Sequence, residues 1–406
     1  MDRKSWGLTA GVSFLVLGNL IGAGILALPI NTGLAGLWPS LAGMAVLGGA
    51  MFWSAVILGR EAVAARAANF NYPSLYQRYL GRLGKWVAIL ANMLILYGLL
   101  VAYLTGGAAI IGQLLNVPEA WRGLLMPGLF VVVTTLTLMN SRLFLRYNAL
   151  IMVVMLAAFA LILVLAWRRV DPAHFAWKDW AYLPAAAPII ITAFHFHNVI
   201  PNVCGSLDWN FGRIWKVMLA GMLLGFLMNA AWIMAGLGVL PLDASANGLL
   251  SAFHANLPAT VPMSRILDSR FFTLFGMIFA LLAIITSYLA NGLGLMGFVR
   301  DMLENHCRVR SRLANVVVTF GPPLAIGLLY PDIFLKALNV VGGVGIVVLF
   351  GILPAVIFIK KASAPAAKAA GWLLLLLFTA CLLCEVGHET GRLQLRPHME
   401  YWNAQH

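Results

Sequence analysis

Two short stretches of this chain place polar or backbone-breaking residues inside long apolar runs. The first is Gly18-Asn19-Leu20-Ile21-Gly22-Ala23-Gly24, with three glycines in seven residues. The second is Phe194-His195-Phe196-His197-Asn198-Val199-Ile200-Pro201-Asn202. A glycine in a helix interior costs about 1 kcal/mol relative to alanine. Pro201 has no amide proton and crowds the turn before it. A helix broken in lipid frees amides and carbonyls, which is tolerated only where the backbone is buried in protein or lines a wet cavity. The chemistry on offer is recognition of a zwitterion. Free amides at a half-helix N-terminus attract a carboxylate, and free carbonyls at a C-terminus attract an ammonium group. No Asp, Glu, Lys or Arg is expected at the centre of any span. Glycines can also serve close helix packing, and a proline can be a simple kink. Two breaks at corresponding places in two halves favour a transport site.

The elements that must hold these stretches are membrane helices. Of the 406 residues 62% are hydrophobic and 10% charged, against about 25% charged in a soluble domain. Apolar blocks of about 20 residues recur throughout, each long enough to cross a bilayer as a helix. The weak alternation of a membrane β-barrel is absent. Eleven spans are predicted, at about 7–31, 36–59, 84–114, 122–140, 148–167, 184–207, 213–240, 270–298, 312–330, 334–359 and 366–387. The first span resembles a signal peptide but is too long, and it is read as a retained helix. The longest connection is Leu242–Asp268, and the chain is expected to be one membrane domain.

The net charge of +13 raises the possibility of nucleic-acid binding. The basic residues are instead spread over short connections, without the basic patch that nucleic acid needs. Placing the N-terminus in the cytoplasm puts 18 Lys and Arg inside and 9 outside, together all 27. That bias predicts an N-in topology, with the C-terminus periplasmic after an odd number of spans. Cys381 and Cys384 form a C-x-x-C within an apolar run and are read, with Cys204 and Cys307, as inert thiols.

The motifs also carry a resemblance. Ile21-Gly22-Ala23-Gly24-Ile25-Leu26-Ala27-Leu28-Pro29 in span one and Phe196-His197 followed by Pro201 in span six resemble the aromatic amino acid permeases. So do Arg78-Tyr79-Leu80-Gly81-Arg82, Ala102-Tyr103 with Gly106, Ala283-Ile284-Ile285-Thr286-Ser287-Tyr288-Leu289, and Gly342-Gly343-Val344-Gly345 with Pro354. The chain is similar to the tyrosine/tryptophan permease branch of the hydroxy/aromatic amino acid permease family, within the amino acid–polyamine–organocation superfamily. The resemblance implies an all-α leucine-transporter-type fold with inverted five-helix repeats and broken helices one and six. The repeats would run about 7–167 and 184–359, with an extra helix at 366–387. It implies cation-coupled uptake of tyrosine or tryptophan at mid-membrane by a symporter of the inner membrane. Serine or threonine, handled by a sister branch, are the alternative substrates.

Site roles follow from the same resemblance. Gly22, Ala23 and Gly24 would offer backbone groups to the substrate carboxylate beside Asn19, and Tyr103 would hydrogen-bond it. Carbonyls at Phe194, His195, Phe196, His197 and Asn198 would take the amino group, and the aromatic faces would stack on an aromatic side chain. His195 or His197 could carry a proton, although a buried histidine is often only structural. Ala283, Thr286 and Ser287 share one helix face. With the carbonyls of Gly18 and Ile21 they resemble a sodium site, unless the hydroxyls bond back to their own helix. Proton-coupled relatives often carry a lysine on helix five, whose place Met155 would take here. The coupling ion is therefore expected to be sodium or a proton, with no other cofactor. The expected partners are the amino acid and the lipid bilayer; no obligate protein partner is evident. An intramembrane enzyme would show facing aspartates, a Ser–His pair or H-E-x-x-H, and a channel would show a polar stripe. Neither pattern is found in the sequence, and a carrier is expected.

Overall fold

The computed structural model describes residues 3–66, 71–139, 141–243, 245 and 247–395. Helices α1 (Arg3–Leu20) and α2 (Ala23–Gly33) meet at 49° and form the first crossing. Helices α3 (Leu37–Ala65), α4 (Tyr72–Leu114), α5 (Glu119–Met139) and α6 (Ser141–Trp167) follow as crossings two to five. The sixth crossing is again broken, into α7 (Leu183–Ala193) and α8 (Ile200–Ser206). Helix α9 (Phe211–Val239) is the seventh. The short helices α10 (Leu249–His254) and α11 (Thr260–Leu267) lead to α12 (Arg270–Met302) and α13 (Arg312–Leu329). The tenth crossing is α14 (Phe334–Val340), a π-helical segment Val341–Ile352 and α15 (Leu353–Lys361). Helix α16 (Pro365–Glu389) is the eleventh. Breaks in crossings one and six, five helices apart, give the leucine-transporter-type architecture that the sequence predicts.

The bends have local causes. Gly22 is extended (φ −115°, ψ −158°), so α1 cannot continue into α2. Pro201 lies in the first turn of α8, where the amide it lacks would have had no partner in any case. It therefore starts a half-helix rather than kinking a whole one. Helix α4 starts well before the predicted residue 84. Asn71 caps it by accepting the Ser74 amide at 2.8 Å, a contact worth about 1 kcal/mol. Gly81 then adopts φ 68°, ψ −159°, a conformation open essentially to glycine alone. The element is thus a limb, Tyr72–Leu80, joined at Gly81 to the crossing itself. The connection Leu242–Asp268 folds as α10 and α11 onto the bundle. The Ala259 amide donates to Leu26 of α2 at 2.8 Å. Leu249 packs so close to Gly33 that a Cβ there would lie 2.6 Å from its Cδ1.

Polar contacts gather at two ends. At the end holding the N-terminal part of α1, Lys361 pairs with Glu61 at 2.5 Å and the Tyr79 hydroxyl donates to Glu61 at 2.6 Å. At the opposite end, Lys336 pairs with Glu389 at 3.1 Å and Trp177 donates its indole N–H to Leu34 at 3.0 Å. The sixth crossing is the core of the bundle: 83% of its apolar window is buried, against 28% for α5, which leaves α5 at the rim. Two acidic side chains lie within helices and are buried. Glu61 belongs to α3, which outruns the predicted second span, and Glu385 lies one turn from the end of α16.

Candidate functional site

The two breaks touch each other. A Cβ on Gly24 would sit 3.0 Å from the Cα of Ala193 and 3.1 Å from its nitrogen. Only glycine lets α2 start this close to the end of α7. The first amides of α2 and the last carbonyls of α1 have no helical partners beyond the Ile21-to-Leu17 and Ile25-to-Gly22 bonds. Ala23 contributes here through its backbone; its side chain lies outside the described residues. Asn19 turns its side-chain amide back to the Leu15 carbonyl at 3.2 Å. The arrangement offers backbone donors and acceptors with no formal charge, a set that could meet both ends of a zwitterion.

On the far side of the second break the aromatic residues part company. Phe194 stacks on Phe226 at 6.2 Å and lies against Gly48, so its ring belongs to the packing of α3 and α9. His195, Phe196 and His197 stay together, with Phe196 at 5.3 Å from the His197 ring. Phe350 of the π-helical segment faces both histidines, at 5.0 Å from His195 and 4.9 Å from His197. Asn198 stands beside the His195 ring. His197 is fully buried and neither ring nitrogen makes a well-formed hydrogen bond; the Met51 backbone is the polar group beside it. The Tyr72 hydroxyl donates to the His197 carbonyl at 2.5 Å, satisfying one of the acceptors that the break sets free.

The third wall comes from α4 and α12. A Cβ on Gly22 would lie 3.3 Å from the Ser287 hydroxyl oxygen, so α12 meets the first break there. Ser287 also lies beside the Tyr103 hydroxyl. Asn291, one turn further along α12, donates to the Tyr103 hydroxyl at 3.2 Å while its amide also reaches the Ser287 carbonyl at 2.9 Å. Tyr103 is thus oriented by Asn291, and Ser287 stands between its hydroxyl and the first break. A tyrosine receiving a bond from Asn291 keeps its own proton to donate.

The predicted cation ligands are distributed as follows. Ser287 stands at Gly22. The Thr286 hydroxyl bonds back to Leu282 at 2.8 Å, with Ala283 at 3.3 Å. The side chain beside Gly18 is Met152: a Cβ on Gly18 would lie 3.1 Å from its methyl carbon. Met152 of α6, three residues before the buried Met155, thus packs against Gly18 just before the first break. Ile21 is buried at the end of α1.

Asn291, Phe350, Tyr72 and Met152 join the site only in the structure. Asn291 carried a legible signal, since its i+4 spacing from Ser287 places both on one face. Phe350 is one apolar residue within an apolar run, and the limb bearing Tyr72 falls outside every predicted span.

The model of the tryptophan/tyrosine permease family matches residues 5–380 of the chain. The tyrosine-specific transport system 1 of Haemophilus influenzae is 30% identical over 347 residues, spanning 82% of this chain and 84% of its own length. The tryptophan-specific transport protein of Pseudomonas aeruginosa is 27% identical over 358 residues, spanning 82% of this chain and 81% of its own. Among solved structures, the Eremococcus coleocola manganese transporter superposes with a TM-score of 0.61 at 16% identity, covering 98% of this chain and 91% of that one. At that identity the likeness shows the fold alone.

Proposed function

The chain belongs to the tryptophan/tyrosine permease family, and on that premise we propose that it carries an aromatic amino acid, tyrosine or tryptophan, across a bacterial inner membrane by alternating access. The observation that carries this reading is the contact between the two breaks, Gly24 against Ala193, with the Ser287–Tyr103–Asn291 cluster beside Gly22. The substrate carboxylate would take the amides of Gly22 to Gly24 and the Tyr103 hydroxyl. Its ammonium would take free carbonyls of α1 and of the 194–198 stretch, and its ring would lie toward Phe196, His197 and Phe350. Electrostatic partners made of backbone dipoles suit a site that must release its cargo, because no full charge has to be desolvated and left unpaired.

Uptake is coupled to a cation in this reading. The back-bonded Thr286 hydroxyl and the Met152 methyl beside Gly18 leave fewer hard oxygens there than a sodium ion prefers. This supports the proton, and sodium remains the second reading. The N-terminus would be cytoplasmic, which native Cys307 tests, being exposed in the connection after α12. A membrane-impermeant maleimide should label it only after permeabilisation.

The deciding experiment is uptake of labelled tyrosine and tryptophan into proteoliposomes, with unlabelled amino acids as competitors and imposed sodium or pH gradients. Aromatic amino acids should compete better than serine at equal concentration. Stronger competition by serine would replace this reading with the serine/threonine alternative.

A further inference from the structure

Three tyrosines share one face of the limb Tyr72–Leu80, at positions i, i+4 and i+7, and each donates to a different element. Tyr72 reaches the His197 carbonyl of the second break, and Tyr76 the Leu349 carbonyl of the π-helical segment. Tyr79 reaches a carboxylate instead, Glu61 of α3, at 2.6 Å. Glu61 is only 5% exposed, and its other oxygen accepts from Lys361 of α15 at 2.5 Å. The Lys361 ammonium also lies 5.6 Å from the centre of the Tyr79 ring. Lys360 donates to the Tyr79 carbonyl at 3.0 Å. Arg60, next to Glu61 in sequence, stacks over Phe211 of α9. One carboxylate and two lysines thus tie α3, the limb and α15 together. The limb joins its own crossing only through Gly81, at φ 68°, where a Cβ would meet nothing within 4 Å. What glycine supplies at this joint is backbone freedom rather than room.

We propose that Glu61, Tyr79 and Lys361 form a latch that holds the limb over the second break, and that it releases each time this end of the bundle opens. The proposal rests on the transport reading above. The pair is built to part, because it has a route to water. The Lys361 side chain is 47% exposed, and a cavity of about 370 Å³ adjoins the pair, lined also by Ile57, Arg60, Phe358 and Ala364. When the limb swings away, both charges are hydrated from that side, so opening leaves neither of them dry and unpaired. When it returns, the charge-assisted bonds from Tyr79, Lys361 and Lys360 re-form together. All three tyrosines stand on one short helix, so releasing Tyr79 also loosens the cover on the His197 and Leu349 carbonyls. A native thiol registers that movement: Cys204 of α8 is fully buried and lies near Tyr72.

The test follows Cys204 in the full chain in proteoliposomes, by the rate at which N-ethylmaleimide modifies it. Mass spectrometry of the peptides separates it from Cys307, Cys381 and Cys384. Glu61→Gln keeps the shape of the side chain and removes its charge. It should raise the Cys204 rate about tenfold or more, as loss of a hydrogen bond to a charged group implies. Lys361→Arg, which keeps the cation, should label at close to the native rate. A native rate at Cys204 in Glu61→Gln would overturn the latch. Faster labelling of Cys381 and Cys384 as well would overturn it too, by marking a general loosening of the bundle. A second measurement holds even where Glu61→Gln does not fold. Glu61→Cys combined with Lys361→Cys is bridged by a reversible bis-thiosulfonate reagent, with the native chain treated in the same way as control. Bridging should stop uptake of tyrosine and tryptophan, and dithiothreitol should restore it. Undiminished uptake with the bridge in place would overturn the latch. Native protein that takes up neither amino acid would instead sink the transport reading, and the Cys204 rates would still decide the latch.

Discussion

The Tyr72 hydroxyl donates a 2.5 Å hydrogen bond to the His197 carbonyl, joining a limb at the end of the bundle to the middle of its sixth crossing. The Tyr72 ring also meets Phe350 edge-on, at 5.0 Å and 81°. Its neighbour one turn on, Tyr76, donates to Leu349 at 2.6 Å, and Ser54 donates to the Phe350 carbonyl. Hydroxyls from α3 and the limb thus satisfy carbonyls of the π-helical segment, while Tyr72 does the same for the sixth crossing. The limb therefore packs over the second break from the end where the N-terminus lies; in the transport reading it would have to loosen for substrate to pass that way.

Tyr72→Phe keeps the ring and removes the donor. The buried His197 carbonyl then loses a bond worth about 0.5–1.5 kcal/mol. We expect a 2- to 10-fold change in the transport constants, read from initial uptake rates across substrate concentrations, with little change in thermal melting. A Tyr72→Phe transporter with native constants would mean that the bond is incidental to the site.

Gly24→Ala forces a methyl group toward the backbone of Ala193, which cannot swing aside as a side chain can. Overpacking of this kind costs about 1–3 kcal/mol, so uptake should fall by about fivefold or more. Gly49 is the control, because a Cβ there meets nothing within 4 Å. Gly49→Ala should transport normally, and equal behaviour of the two variants would show that the two breaks do not need their close approach.

The sequence exposed the breaks more readily than the side chains that complete the site. Gly22 and Pro201 announce themselves because lipid makes a broken backbone expensive, and such residues are conspicuous in an apolar run. All eleven crossings lie near their predicted positions for the same reason: hydropathy over about 20 residues averages out local detail. The burial of Glu385 is not legible in the sequence because it stands close to a helix end, where a glutamate usually reaches water. Its burial depends on Gly343, 42 positions away in sequence, and only the fold brings the two together. The direction of Phe194 was equally hidden. Its neighbours in sequence mark a site, but its ring packs on Phe226 because the break rotates successive side chains to different walls. Thr286 and Ser287 are adjacent, and their hydroxyls end in different environments.

Tyr103 and Asn291 should behave as a unit. Tyr103→Phe removes the hydroxyl, and Asn291→Ala removes a group that orients it. Each should weaken substrate binding, and the double variant should be milder than the product of the two. Contacting residues in one network show coupling of about 0.5–3 kcal/mol. Tryptophan binding by the four proteins, measured by calorimetry in detergent, gives this coupling directly. Strict additivity would place Asn291 outside the carboxylate wall.

The hydroxyls of α12 separate the two coupling ions. If sodium bound the predicted set, Thr286→Ala and Ser287→Ala would both remove a ligand and both impair sodium-driven uptake. The observed geometry argues for unequal effects. Thr286 spends its proton on Leu282, and its loss frees a carbonyl without touching the break, whereas Ser287 stands against both Gly22 and Tyr103. We expect Thr286→Ala to keep uptake within about threefold of native, since a back-bonded helix hydroxyl contributes little. Ser287→Ala should weaken substrate affinity by about 3- to 10-fold, the worth of one hydrogen bond between neutral groups. Both variants should respond to a pH gradient as the native protein does, and replacing sodium with choline should change none of the three. A tenfold loss in Thr286→Ala that excess sodium relieves would instead establish Thr286 as a sodium ligand and reverse the order of the two coupling ions.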